Sequence, residues 1–473
     1  MKRFMVAAML LWQLPVQGAE VVSTLDDQSA VAVTIYNDDL ALVKDQRRVA
    51  LATGENRLAF REVSAKIRPE TALLRSLGGG DGLRLIEQNF DFDLLTPDKL
   101  LEKYIGREVR VIRTHPTTGE EAAETAQVLA TNDGVVLRMG DRIETGIPGR
   151  IVFDGVPENL RDRPTLVIRL LSPAGGKREV ELSYLTGGLS WQADYVAALD
   201  GEDKHLSLNG WVTLTNQSGT AYRDALLQLV AGDVHRAPER RRLRMAEESV
   251  MAAAAPDAAM RQEGLFEYHL YTLERPTTLA DRQTKQVALL SAEGVPVTKE
   301  FLLEGRQHDY YNRRVGAEEQ RKVAVYLEFR NDEQGNLGLP LPKGVMRIYK
   351  ADSAGRGQFL GEDRIDHTPK NEKVRLKLGN AFDVTARRKQ TGFKRRPAQA
   401  PYKQASDSSY EITLKNAKTE AVTVIVREPI PGDWEMLGES QPHRKEAANL
   451  AEWRVEVPAE GEATLSYEVR VRY

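Results

Sequence analysis

The 473-residue chain contains no cysteine. That excludes disulfides, thiolate nucleophiles, iron–sulfur clusters and thiolate zinc sites. Aromatic residues make up only 7%, fewer than the two girdles of a lipid-facing barrel require. Lys and Arg number 66 against 69 Asp and Glu, a formal charge of −3, so no excess of one sign draws the chain to nucleic acid. Past the amino terminus, no apolar run approaches the roughly 20 residues that a helix needs to cross a bilayer. Histidines are few, and His115, His205, His235, His269, His308, His367 and His443 are spaced too widely to form a helical pair of metal ligands. Gly-x-Ser-x-Gly and Ser-x-x-Lys motifs are absent. The nearest approach, Gly188-Leu189-Ser190-Trp191-Gln192, opens a strand instead of a strand-to-helix turn.

What is present begins with an export pattern. Lys2 and Arg3 precede a short apolar run from Phe4 to Leu14, Pro15 breaks it, and Val16-Gln17-Gly18 supplies a cleavage site. The expectation is a signal peptide over 1–18 and a periplasmic address in a Gram-negative envelope. Removing Lys2 and Arg3 leaves 64 basic and 69 acidic residues, a charge of −5 for the mature chain.

Period-two alternation dominates the rest. Leu166, Ile168 and Leu170 alternate, as do Val180, Leu182 and Tyr184, then Leu206, Leu208, Val212 and Leu214. Val323, Val325, Leu327 and Phe329 follow, then Val422, Val424 and Val426, and finally Leu465, Tyr467, Val469 and Val471. Alternate residues of a strand face opposite sides, so each run predicts a strand with one buried face. One helix is predicted, from Pro97 to Tyr104 with Thr96 as its cap. The fold class is therefore all-β: a multidomain β-sandwich architecture with a small SH3-like barrel insert and an immunoglobulin-like carboxy-terminal sandwich. The expected division is an amino-terminal β region at 19–100, the barrel at 101–155, sandwich strands at 156–235 and 263–404, and the last domain at 405–473. An Arg-, Ala- and Met-rich insert at 236–262 lacks an apolar stripe and is expected to be mobile.

The order of motifs in the second half resembles a bacterial exported family, the mucoidy-inhibitor-A-like group of domain-of-unknown-function family 4139. The resemblance is carried by the run from Ser183 to Tyr195, by Asn216 to Ala225, by Leu341 to Val345 and Gln358 to Asp363, by Leu378 to Val384, and by Pro429 to Trp434. It covers about 160–473, and Tyr36 to Val43 also looks like the start of exported members. The chain has the barrel-like insert where the mucoidy-inhibitor subgroup has a long coiled coil. The resemblance implies an exported, β-rich envelope protein and brings no catalytic residues with it.

Candidate chemistry is sparse. Gly78 to Gly82 lacks the Lys-Ser/Thr of a phosphate loop and reads as a turn. Asp91 and Asp93 would share one strand face, and Glu362, Asp363, Asp366 and His367 form the densest polar cluster. Either set could supply the acid and base of glycoside hydrolysis, although Gly361 and Pro369 make the second set look like a solvated hairpin turn. Trp191, Tyr195, Trp211, Trp434 and Trp453 could stack on sugars. Core packing is the default for strand aromatics, with Trp434 the best placed for exposure. The strongest binding candidate is the run 387–403, where Arg387, Arg388, Lys389, Lys394, Arg395, Arg396 and Lys403 give seven cations and no acid. It reads as a loop, interrupted by Pro397 and Pro401, that would attract anionic lipid or acidic polysaccharide. The sequence thus points to a non-catalytic envelope binding or scaffolding protein without cofactor or metal. Its partners would be an envelope protein, anionic lipid or polysaccharide and not nucleic acid. A glycan-active hydrolase and an outer-membrane barrel ending at Tyr473 are the alternatives.

Overall fold

The structure is a computed structural model that describes residues 20–473 apart from 38, 79–81, 92–93, 133, 148, 158–159, 233, 235–259 and 398–399. The predicted signal and most of the 236–262 insert lie outside the described residues. The remainder is an all-β, multi-sheet protein, as the alternation requires. The chain divides into two compact units, interleaved in sequence: Met1–Trp191 with Leu214–Val230 and Leu270–Lys285, and Gln192–Thr213 with Ala231–His269 and Gln286–Tyr473.

In the first unit, Thr165–Ser172 pairs antiparallel with Gly54–Arg61 on one side and Arg84–Asp91 on the other. Gly176–Thr186 pairs with Leu40–Leu51, which pairs in turn with Gln28–Tyr36. Strands from 19–100 therefore hydrogen-bond with strands from 156–235. Burial of Val33, Ile35, Leu58, Phe60, Leu166, Ile168, Leu182 and Tyr184 makes the core. Within it, Arg47 is fully buried against Asp45 at 2.7 Å and lies 3.9 Å over the Phe60 ring. A tight turn at Gly187-Gly188 is held by Asp39, whose Oδ1 accepts the Gly188 N–H at 2.7 Å. Gly188 has φ +80° and no room for a Cβ beside Gln217, so glycine is required there.

Residues 108–152 form a separate five-stranded antiparallel sheet in the order Arg142–Thr145, Val136–Met139, Glu121–Ala130, Glu108–Thr114, Arg150–Val152. Val109, Val111, Val128, Leu137 and Met139 are its core, and the helix Pro97–Lys103 adds Leu101. Thr96 caps that helix by accepting the Lys99 N–H at 3.2 Å, as the sequence predicts.

The second unit is built around two long neighbours, Glu318–Arg330 and Lys373–Arg396. The latter continues the sheet through Ala405–Asn416 and Gly461–Arg472 to Asp433–Glu439. Val422–Pro429 and Leu450–Val457 pair with each other opposite them. Between lie Val384, Ala386, Tyr410, Ile412, Val424, Val426, Trp453, Leu465, Tyr467 and Val469.

A recurrent device closes three strands. Asn416, at the end of Ala405–Asn416, donates through Nδ2 to the carbonyls of Glu420 (2.8 Å) and Pro458 (3.0 Å) and accepts the Lys418 N–H at 3.0 Å. Asn216 repeats this with Thr220 (2.9 Å), Ala280 (3.0 Å) and the Ser218 N–H (3.0 Å). Asn331, just past Glu318–Arg330, does so with Leu339 (2.7 Å), Pro369 (3.0 Å) and the Gly338 N–H (3.2 Å). Each amide is buried and satisfies backbone groups that a departing strand would leave unpaired.

Candidate functional site

The cationic run is a strand, not a loop, as far as Arg396. Register decides the fate of each charge. Val384, Ala386 and Arg388 share the inward face, while Arg387 and Lys389 point out. Arg388 is therefore withdrawn from the outward cationic face. Its Nε and Nη2 hold Glu428 at 3.0 and 3.2 Å, Nη2 also donates to Tyr467 Oη at 3.3 Å, and the guanidinium lies 4.0 Å over the Tyr410 ring. Arg387 pairs with Glu318 at 3.0 Å. Arg396 binds Asp407 at 2.6 Å, a carboxylate that also takes Arg470 at 2.7 Å. Lys389, Lys394, Arg395 and Lys403 are exposed and have no ion-pair partner among the described residues. The seven-cation reading thus reduces to four outward charges that lack an ion-pair partner among the described residues. The sequence hid this because the acids that balance the others come from different strands.

Around Arg388 a buried polar network is built. Asp309 accepts from Arg321 Nη2 at 2.7 Å and stands 3.5 Å from Arg388 Nη1. Tyr310 donates to Glu428 at 2.7 Å and its hydroxyl lies 2.8 Å from that of Tyr467. Gln390 Nε2 donates to the Tyr410 hydroxyl at 3.2 Å, which itself donates to the Asp309 carbonyl at 2.9 Å. Gly305 leaves the space that Glu428 fills, since a Cβ there would stand 2.2 Å from Glu428 Oε2. Two guanidinium cations, Arg388 and Arg321, thus meet two buried carboxylates, Asp309 and Glu428. Burial is the largest single influence and works against the Arg388 charge, but Glu428 together with Tyr467, Tyr310 and Tyr410 outweighs it and the guanidinium is held protonated. Burial, with Glu428 adding to it, pushes the Tyr310 and Tyr467 hydroxyls well above their ordinary range, so both stay neutral donors. One side of the network opens into a cleft with about 220 Å³ of space, lined by Asp309, Arg314, Ala317, Arg388, Gln390 and Tyr410 among others.

Three of the carboxylates offered as acid and base, Asp91, Glu362 and Asp363, are engaged elsewhere, while Asp366 is exposed just past the strand Gly357–Ile365. Asp91 is bound by Arg161 at 2.9 Å, which also binds Glu20 at 2.8 Å. Asp93 lies outside the described residues, as do 79–81 of the glycine run. Glu362 and Asp363 sit on the strand Gly357–Ile365, paired with Gly344–Ala351, and not in a hairpin turn. Glu362 pairs with Arg347 at 3.1 Å, Asp363 accepts the Lys377 N–H at 2.8 Å, and His367 Nδ1 accepts the Lys343 N–H at 3.2 Å. Among the described residues no group of three or more His, Asp or Glu is placed to hold a metal ion.

The aromatic candidates are mostly core. Trp434 is buried and donates to the Ala448 carbonyl at 2.8 Å. Trp453 stacks on Tyr467 at 4.9 Å. Trp191 and Tyr195 are buried, with the Tyr195 hydroxyl donating to the Pro342 carbonyl at 2.8 Å. Among the described residues no helix is long and apolar enough to cross a membrane.

Compared with family models, residues 180–473 match the domain of unknown function DUF4139. That span contains the whole buried network and nearly all of the motifs on which the resemblance rested. No curated protein matches the chain.

Proposed function

The chain belongs to the family described as domain of unknown function DUF4139, and we propose that it is an exported, non-catalytic binding or scaffolding protein of the bacterial envelope. In this reading residues 1–18 are a cleaved signal, the mature chain works in the periplasm, and 405–473 is an immunoglobulin-like module. One observation carries the binding role: four cations, Lys389, Lys394, Arg395 and Lys403, are exposed on or just beyond one strand, without ion-pair partners among the described residues. Asp91 and Glu362 are paired with Arg161 and Arg347, and Asp363 accepts a backbone amide, so in this reading these carboxylates serve the structure.

The partner this favours is an anionic surface, lipid headgroup or acidic polysaccharide. Near such a surface each cation is worth about 1 kcal/mol, so neutralising all four should remove about 4 kcal/mol of binding. The test is co-sedimentation of the mature protein with vesicles containing phosphatidylglycerol, at low and high salt, beside a variant with Lys389, Lys394, Arg395 and Lys403 changed to Gln. Arg388 and Arg396 must be left intact, since their loss would take a partner from the buried carboxylates Glu428 and Asp407. Binding at low salt that both the variant and high salt abolish supports the reading. Equal sedimentation of the two proteins refutes it.

A further inference from the structure

The cleft beside Arg388 has an unusual floor. Arg388 commits Nε and Nη2 to Glu428 and Tyr467, while Nη1 makes no hydrogen bond among the described residues and lies 3.5 Å from Asp309 Oδ2. Asp309 Oδ2 is taken by Arg321, and Oδ1 accepts no hydrogen bond from a described residue. Both residues line the cleft, yet each is more than nine-tenths buried. A charge-bearing donor and acceptor thus stand side by side in a small concave space with their hydrogen-bonding capacity unfilled. Groups of this kind are normally satisfied by protein or by ordered solvent, and a polar ligand can take the place of the latter.

The charges select the ligand. A carboxylate or phosphate drawn to Arg388 would be placed against Asp309. An ammonium group drawn to Asp309 would meet Arg388, and the rest of the lining carries both signs, Arg314 as well as Glu318 and Glu319, each of the two acids already paired with an arginine. A neutral group that both accepts and donates suits the pair, and adjacent hydroxyls do so: one oxygen accepts from Nη1 while a neighbouring O–H donates to the carboxylate. Charge-assisted bonds of this type are stronger than neutral ones. The space, about 220 Å³, is below the range of roughly 300–1,000 Å³ typical of drug-sized ligands, and it fits one ring. Tyr410 and Ala317 supply apolar wall.

We propose that this cleft binds a single neutral sugar ring through adjacent hydroxyls bridged between Arg388 and Asp309. The site deepens the envelope-binding reading by naming a glycan as a ligand, but it uses none of the four outward cations.

Saturation-transfer NMR on the full mature chain tests it, with methyl glucoside, methyl galactoside, N-acetylglucosamine and glucuronate as probes. Ala317 is an exposed rim residue, so Ala317→Trp should close the cleft without touching the ion pairs, and Ala317→Leu is a milder block. Transfer to at least one neutral sugar, weakened about tenfold or more in Ala317→Trp, supports the proposal. Transfer to none, transfer to glucuronate alone, or transfer undiminished by either Ala317 variant overturns it. The four-cation variant separates the two readings, because it should lose vesicles and keep the sugar.

Discussion

Replacing Glu428 by Gln keeps the shape of the side chain and removes its charge. The wild-type carboxylate accepts from Arg388 Nε at 3.0 Å, Arg388 Nη2 at 3.2 Å and the Tyr310 hydroxyl at 2.7 Å, in a site almost without solvent. The amide supplies one acceptor oxygen and turns an N–H₂ toward either a guanidinium or a phenol. Arg388 then depends on Asp309, 3.5 Å away and already holding Arg321. Removing one partner of a buried ion pair costs about 3–5 kcal/mol, against about 0–1 kcal/mol for an exposed pair such as Lys415–Glu462. Urea unfolding followed by tryptophan fluorescence reads this directly, since Trp453 stacks on Tyr467 within the same core. Glu428→Gln should lower the midpoint of the transition that Trp453 reports. Removing both charges, as Arg388→Met with Glu428→Leu, should recover most of the loss, because the Tyr310 and Tyr467 hydroxyls still bond each other. A Glu428→Gln protein within about 1 kcal/mol of wild type, well below the buried-pair cost, would refute the reasoning. So would a double variant as unstable as the sum of the singles.

Asn416→Ala should cost about 2–4 kcal/mol in the same assay, because it strands the Glu420 and Pro458 carbonyls and the Lys418 N–H; Lys415→Gln, one residue away but exposed, should be near neutral. Asp407 is held below the ordinary carboxylate range, chiefly by its hydrogen bond to Arg470 and further by Arg396, against the opposing effect of burial. A depressed folded-state value stabilises the protein above the unfolded value, near 3.9, and that stability is lost as pH falls through the folded one. Asp407→Asn should therefore be less stable than wild type at pH 7, and the gap should close on acidification below about pH 4, as measured by urea midpoints across that range.

The sheets were legible because burial of alternate residues is a local property of sequence. The runs ending at Val426 and Val471 read correctly as strands with one inward face. The partners of those strands were not legible, since pairing joins residues more than a hundred positions apart, as Leu40–Leu51 with Gly176–Thr186 does. The cationic run misled for a related reason. Composition alone suggested a solvated loop, but the period-two phase was already informative: Arg388 follows Val384 and Ala386 by twos, Glu428 follows Val422, Val424 and Val426, and Arg321 precedes Val323. Three charges in the buried phase of three strands are the signature of an internal ion-pair network. The three asparagine corners were readable as well, each an Asn at or just past the end of a strand and followed by a turn. Their shared role emerges only once the accepting carbonyls, as distant as Pro458 from Asn416, are placed.

The central claim, that this is a binding protein held at the envelope by outward cations, is tested most directly in cells. The wild-type chain, the four-cation variant and a Glu362→Gln variant would each be expressed and the envelope fraction washed at rising salt. The account predicts that wild type and Glu362→Gln stay with the envelope at low salt and leave it at high salt, while the four-cation variant is released from the start. Retention of all three at every salt concentration, or release of all three at the lowest, would contradict it.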